Sequence, residues 1–179
     1  MTLILLVGGA RSGKSTLALQ LAARASDEVV FIATGEPRDA EMHERIENHR
    51  RERPGSWTTI EEPLELEAVL ADVEANTALI VDCLTLWAAN ALDAYGPAET
   101  ERRAAAAATA ASSRRGLTIA VSNEVGSGIV PATPLGRSYR DLLGRVNALW
   151  AERADDVLLL VAGRALRLLP PGELVGELP

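Results

Sequence analysis

Apolar residues run along this chain in short unbroken stretches separated by longer amphipathic ones. Leu3 to Val7 is uninterrupted and ends at Gly8-Gly9, a pattern suited to a central parallel strand buried on both faces. The next stretch, "SGKSTLALQLAARAS", spaces Leu17, Leu19, Leu21 and several alanines into a broad apolar stripe and predicts a helix that breaks at Ser26-Asp27. "EVVFIAT" is the second strand. From Arg38 to Arg51 the sequence becomes densely charged, with Met42 and Ile46 as the main apolar anchors of a mostly solvated helix that Pro54 stops. Glu62-Pro63 opens a short amphipathic segment through Leu64, Leu66, Val69 and Leu70, and "ALIVDC" reads as another buried strand.

The alanine-rich stretch from Ala104 to Ala111 predicts a helix ending at Arg114-Arg115-Gly116, because alanine is the best helix former. "LTIAVS" is the next strand, followed by the glycine-rich "NEVGSGIVP", a helix from Leu135 to Ala154, and a strand pair in "DVLLLVAGRALRL" that turns at Ala162-Gly163. Parallel strands alternating with helices through right-handed crossovers give a three-layer α/β domain, closed by an antiparallel hairpin at its C-terminal end. One domain is expected over residues 1–169, with 170–179, "PPGELVGELP", a flexible tail.

Composition narrows the partners. The 179 residues carry 25 acidic against 18 basic side chains, a net charge of −7, which argues against a nucleic-acid partner needing an extended basic face. Aromatic residues make up only 3% of the chain, so the core is expected to be aliphatic. The single cysteine, Cys83, excludes an internal disulfide and reads as a core residue. The apolar N-terminal run has no preceding basic residue and leads straight into a glycine loop, so it reads as a strand and not an export signal. No segment approaches the roughly 20 apolar residues of a membrane span. A soluble cytoplasmic protein without stable membrane insertion is expected.

The candidate chemistry begins at Gly8-Gly9-Ala10-Arg11-Ser12-Gly13-Lys14-Ser15, which fits G-x-x-x-x-G-K-[ST] between a strand and a helix. Glycines let backbone N–H groups face phosphate, and the helix dipole adds positive potential. Lys14 should reach the β and γ phosphates, Ser15 can hold Mg²⁺, and Thr16 supports the phosphate end. Asp82, closing the strand "ALIV", suits the acidic partner that binds the cation through water, although a helix cap or turn is its plain structural alternative.

Both histidines, His43 and His49, lie in the charged segment, where the simplest role is on a solvated, salt-bridged helix. His49 is the better catalytic candidate because Arg50, Arg51 and Arg53 follow it, and guanidinium groups can bind the triphosphate that a nucleophilic imidazole must approach. His43, between Met42 and Glu44, reads as a surface residue. Asn123 and Glu124 are either substrate contacts or caps.

Together, "GGARSGKS", "FIATGEPRDAEMHERIENHRRERPGSW", "EEP", "DCLTLWAAN", "VSNEVGSGIVP" and "LGRSYRDLLGRVNALWAERADDVLLLVAG" resemble, in order and spacing, the adenosylcobinamide kinase/adenosylcobinamide-phosphate guanylyltransferase family. The resemblance implies a RecA-like P-loop NTPase fold with a mostly parallel sheet. It implies phosphorylation of adenosylcobinamide by ATP or GTP, then transfer of GMP from GTP to the product with release of pyrophosphate. The family works through a GMP-histidine, and the histidine of its "RI..HR..RP" motif falls on His49. Its pattern also places Thr34, Gly35, Glu36, Arg50, Arg51, Glu52, Arg53, Glu61 or Glu62, and Asp82 by the nucleotide, and implies Mg²⁺, a corrinoid substrate and a propeller-like homotrimer. Some members carry a histidine just before the reactive one, where this chain has Asn48. A plain small-molecule kinase and a non-catalytic nucleotide switch are the rival readings.

Overall fold

The structure, a computed structural model, describes residues 2–51 and 53–175. In chain order the elements are β1 (Thr2–Gly8), α1 (Lys14–Ala25), β2 (Val29–Ala33), α2 (Ala40–Arg51), β3 (Thr58–Glu61), α3 (Leu66–Asp72) and β4 (Ala78–Asp82). They continue as α4 (Leu84–Tyr95), α5 (Pro97–Ser112), β5 (Leu117–Val121), α6 (Pro134–Arg153), β6 (Asp156–Val161), β7 (Arg164–Leu168) and α7 (Pro171–Val175).

The seven strands form one sheet in the order β3-β2-β4-β5-β1-β6-β7, parallel throughout except for the antiparallel β6–β7 pair. Strand β5 lies between β1 and β4, so the phosphate-loop strand and the strand ending at Asp82 are separated by one strand. The expected three-layer α/β class and closing hairpin are therefore present. Side-chain alternation divides the core. Leu3, Leu5 and Val7 of β1, with Leu79 and Val81 of β4, face α3 to α6, whose Leu70, Trp87, Ala107, Leu143 and Trp150 pack against them. Leu6, Ile80, Ile119 and Val121 face the other way, onto Ala18 and Ala22 of α1.

The alanines of α5 are a packing device. Ala104, Ala107, Ala108 and Ala111 are all buried, and their small side chains let α5 lie close to α3 and α6. The helix is ended by Arg114, which does more than mark a stop. Its buried guanidinium donates to the carbonyls of Leu70, Val73, Glu74 and Thr77, tying the C-terminal turn of α3 to the entrance of β4.

Three elements have no counterpart in the sequence reading: β3, α4 and α7. Strand β3 is a four-residue edge strand with one buried neighbour element, too short to show alternation. Helix α4 continues the apolar run of β4 with little polar interruption, and it buries Leu84, Thr85, Trp87, Ala88, Asn90 and Ala91, so its pattern lacks a clear polar face. In the segment 170–179, Pro171–Val175 is helical and 176–179 lie outside the described residues. Among the described residues no helix is long and apolar enough to cross a membrane.

Candidate active site

The C-terminal ends of β1, β2, β4 and β5 open on one side of the sheet, where loops gather around a cleft of about 600 Å³. Its floor is the phosphate loop. Gly8 has φ 152, and a Cβ there would stand 2.3 Å from the Leu160 carbonyl oxygen, so only glycine lets the loop leave β1 beside β6. Gly13, at φ 99, turns the chain into α1. The loop is also held from outside: Gly163 in the β6–β7 turn donates its N–H to Ser12 O at 3.0 Å, and Glu124 N–H donates to Gly8 O at 3.1 Å. The closing hairpin thus supports the nucleotide end of the molecule.

Lys14 is buried, and its Nζ donates to Gly9 O at 2.7 Å and Gly8 O at 3.0 Å. Asp82 stands at the tip of β4, with its carboxylate beside the Ser15 hydroxyl. Burial raises the Asp82 pKa, opposed by the charge of His49, the Ser15 hydrogen bond, and the charges of Arg53 and Lys14. The cleft therefore joins a carboxylate, a hydroxyl and three basic side chains around a phosphate-binding loop.

Ala10 to Thr16, Gly35, His49, Arg53 and Asp82 all line this cleft, so the sequence-derived site is largely one place. Arg53 reaches it with its guanidinium 3.7 Å from the Phe31 ring centroid and Nη1 donating to Thr59 Oγ1 at 3.1 Å. Other expected residues lie elsewhere. Thr34 is fully buried beneath the cleft, its hydroxyl donating to Cys83 O at 2.7 Å and accepting from Cys83 N–H at 2.9 Å. Glu36 pairs with Arg38, Arg50 pairs with Glu47, and Arg51 and Glu61 are exposed outside the lining. Glu62 accepts from the N–H groups of Leu64 and Glu65 and so shapes the turn ahead of α3. Glu52 falls outside the described residues. His43 is exposed, as expected.

Sequence reasoning did not place Phe31, Glu41, Glu44, Leu86 or Val121 at the site, and it read Cys83 as core. Cys83 packs against the core layer that faces α1 and also forms part of the cleft wall beside Asp82, where burial pushes its thiol up to about 11, so it is a neutral thiol near pH 7. Of the pair left open, Asn123 lines the cleft while the Glu124 carboxylate accepts from Gly126 N–H within its own loop. The signal that could have found Phe31 is its position on a strand entering the site, with an arginine-rich segment to follow; nothing local in the sequence marks Leu86.

A phosphate loop on a strand-to-helix turn, a strand-end carboxylate beside the loop serine, and a histidine in the same cleft define a P-loop transferase acting on nucleoside triphosphates. Residues 4–168 match the CobU family, cobinamide kinase / cobinamide phosphate guanyltransferase. The chain belongs to that family, and it is a bifunctional kinase and guanylyltransferase of cobalamin biosynthesis. It is 44% identical over 165 residues to the bifunctional adenosylcobalamin biosynthesis protein CobP of Pseudomonas aeruginosa, spanning 92% of this chain and 95% of that protein. It is 38% identical over 180 residues to the bifunctional adenosylcobalamin biosynthesis protein CobU of Escherichia coli, spanning 93% and 99%. Among solved structures, the RadB recombinase superposes with a TM-score of 0.49 at 19% identity, covering 88% of this chain and 73% of that one.

Proposed function

We propose that the cleft phosphorylates adenosylcobinamide with ATP or GTP and then transfers GMP from GTP to adenosylcobinamide phosphate through a GMP-histidine on His49. The observation that carries this is the shared cleft: His49 and Arg53 line the same wall-to-floor space as Lys14, Ser15 and Asp82. In the first reaction the loop N–H groups and Lys14 hold the γ-phosphoryl group while the substrate hydroxyl attacks its phosphorus, the bond to the β-phosphate oxygen breaks, the nucleoside diphosphate leaves and the hydroxyl proton passes to solvent. In the second, a neutral His49 nitrogen attacks the α-phosphorus of GTP, the bond to pyrophosphate breaks, and the imidazole gives up its proton. A phosphate oxygen of adenosylcobinamide phosphate then attacks the same phosphorus, the P–N bond breaks, and adenosylcobinamide-GDP leaves.

Ser15 and Asp82 present two hard oxygen donors in the same cleft, and this donor set fits Mg²⁺, which takes one or two protein ligands beside phosphate and water. When bound, the cation neutralises charge on the phosphate oxygens. Ala10, Arg11, Ser12, Gly13, Thr16, Gly35 and Arg53 are read as the nucleotide contacts. Thr34, Glu36, Arg50, Arg51, Glu61 and Glu62 are read as scaffold or surface, from the partners and exposure described above. We read the enzyme as cytoplasmic and as a homotrimer, a reading supported by the exposed apolar groups Val161, Leu166, Leu168 and Leu169 at the β7 edge.

The test is incubation with GTP labelled in its α-phosphate. Wild type should retain acid-labile label on the protein, and His49→Ala should retain none. Normal labelling of His49→Ala removes His49 from the mechanism, and an unlabelled wild type that still phosphorylates adenosylcobinamide leaves the plain-kinase reading.

A further inference from the structure

Helix α2 carries His49, yet none of its described side chains is buried. Met42 and Ile46 turn toward the cleft, and otherwise the helix is polar. A helix with so little buried surface is placed by its ends. Beyond its C-terminal end, Arg53 rests on Phe31 and Thr59, as described above. At its N-terminal approach the holding group is Arg38, which does not line the cleft.

Arg38 makes a complete fork. Its Nε and Nη2 donate to Glu36 Oε2 at 3.1 and 2.8 Å, Nη1 donates to Asp93 Oδ2 at 2.9 Å, and Nη2 donates to Asn90 Oδ1 at 3.0 Å. Asp93 and Asn90 belong to α4, so the approach to α2 is tied to a helix of the rigid core. Asn90 is itself buried and donates through Nδ2 to Thr34 O at 2.9 Å. The Thr34 hydroxyl in turn grips the Cys83 peptide next to Asp82. One run of hydrogen bonds therefore joins the backbone beside the strand-end carboxylate to the loop that launches the histidine helix. Gly35, in that loop, is pressed between the two: a Cβ there would stand 3.1 Å from Leu86 Cδ1 and 3.6 Å from Ile46 Cδ1.

We propose that Arg38 is a positioning residue for the guanylyl-transfer step: tied to Asn90 and Asp93, it holds the start of α2 so that His49 stays over the phosphate loop. The proposal rests on His49 being the nucleophile. The kinase step transfers the γ-phosphoryl group held on the β1–α1 loop and does not use the His49 imidazole, so it depends on this tie less than the guanylyl step does. Nucleophilic attack is sensitive to small displacements, and a helix freed at one end samples many.

The experiment uses the full chain and two readouts: single-turnover labelling of the protein from α-labelled GTP, and steady-state phosphorylation of adenosylcobinamide. Arg38→Ala should slow labelling by about tenfold while kinase kcat stays within about twofold of wild type. Arg38→Lys should fall between, because an ammonium cannot reproduce the planar fork that meets three acceptors. Asp93→Asn should slow labelling less than Arg38→Ala, since Asn90 and Glu36 remain. Labelling of Arg38→Ala at the wild-type rate, or an equal fall of both activities in Arg38→Ala and Arg38→Lys, overturns the proposal alone. A wild type that takes no label, or a His49→Ala that keeps it, removes the His49 reading and the proposal with it.

Discussion

Thr34 shows how much one hydroxyl can settle. Its oxygen both donates to and accepts from the Cys83 backbone, and its own N–H donates to Asp82 O at 3.2 Å. The residue is 0% exposed, so nucleotide has no path to it. Replacement by valine keeps the volume but leaves the buried Cys83 N–H and C=O without this partner, at a cost of about 2 kcal/mol. Thr34→Val is therefore expected to lower the denaturant midpoint of the nucleotide-free protein. Unchanged stability with weakened GTP binding would restore Thr34 to the nucleotide contacts that family resemblance implied. The resemblance associates a motif with a site; burial decides whether a given side chain in it touches ligand or holds up a residue that does.

At the scale of elements, α3, α4 and α5 are joined at the surface by one charged knot. Arg103 donates to both Glu65 oxygens at 2.9 Å and to Glu99 at 3.0 Å while lying 4.1 Å from the Tyr95 ring centroid. Tyr95 donates its hydroxyl proton to Glu65 at 2.8 Å, and Arg102 also donates to Glu99. Arg102, then Arg103, holds the Glu99 carboxyl at about 2, below its ordinary 4.5. Because the folded value is depressed, the charged form stabilises the fold above the unfolded value, and that contribution disappears as pH falls through the folded one. Glu99→Gln is accordingly expected to melt below wild type at neutral pH, with the gap narrowing from about pH 5 and closing near pH 2. The pairs are exposed, so the gap is small and shrinks with added salt. A gap that persists unchanged at low pH would show that charge is not its source.

At the scale of the molecule, the two edges of the sheet differ. The β3 edge is a short polar strand, whereas β7 is exposed along its whole length and carries Leu166 and Leu168 on one face, with Val161 beside them in the partner strand. An open strand with apolar side chains is a surface that needs a cover. In the homotrimer we propose, a second copy supplies one. The wild type is expected to sediment as a trimer and the double variant Leu166→Glu/Leu168→Glu as a monomer. A monomeric wild type at micromolar concentration would remove the assembly reading. The same hairpin holds Ser12 through Gly163, so loss of the edge contact is expected to weaken nucleotide binding as well.

Periodicity alone was enough for the strands at Leu3, Val29, Ala78, Leu117 and Asp156 and for the helices after the phosphate loop and around the alanines. Their signals are local: unbroken apolar runs make buried parallel strands, and a glycine loop before a lysine makes a phosphate site wherever it folds. The charge pattern also selected His49 over His43, because adjacent arginines are visible in the chain itself. Tertiary structure decided the rest. It brought Phe31, Leu86 and Asn123 into the cleft and drew Thr34 beneath it, since each depends on which strand ends lie side by side. It also decided that Arg38 reaches Asn90 and Asp93, residues separated from it by 52 and 55 positions, a distance over which no sequence pattern carries geometry.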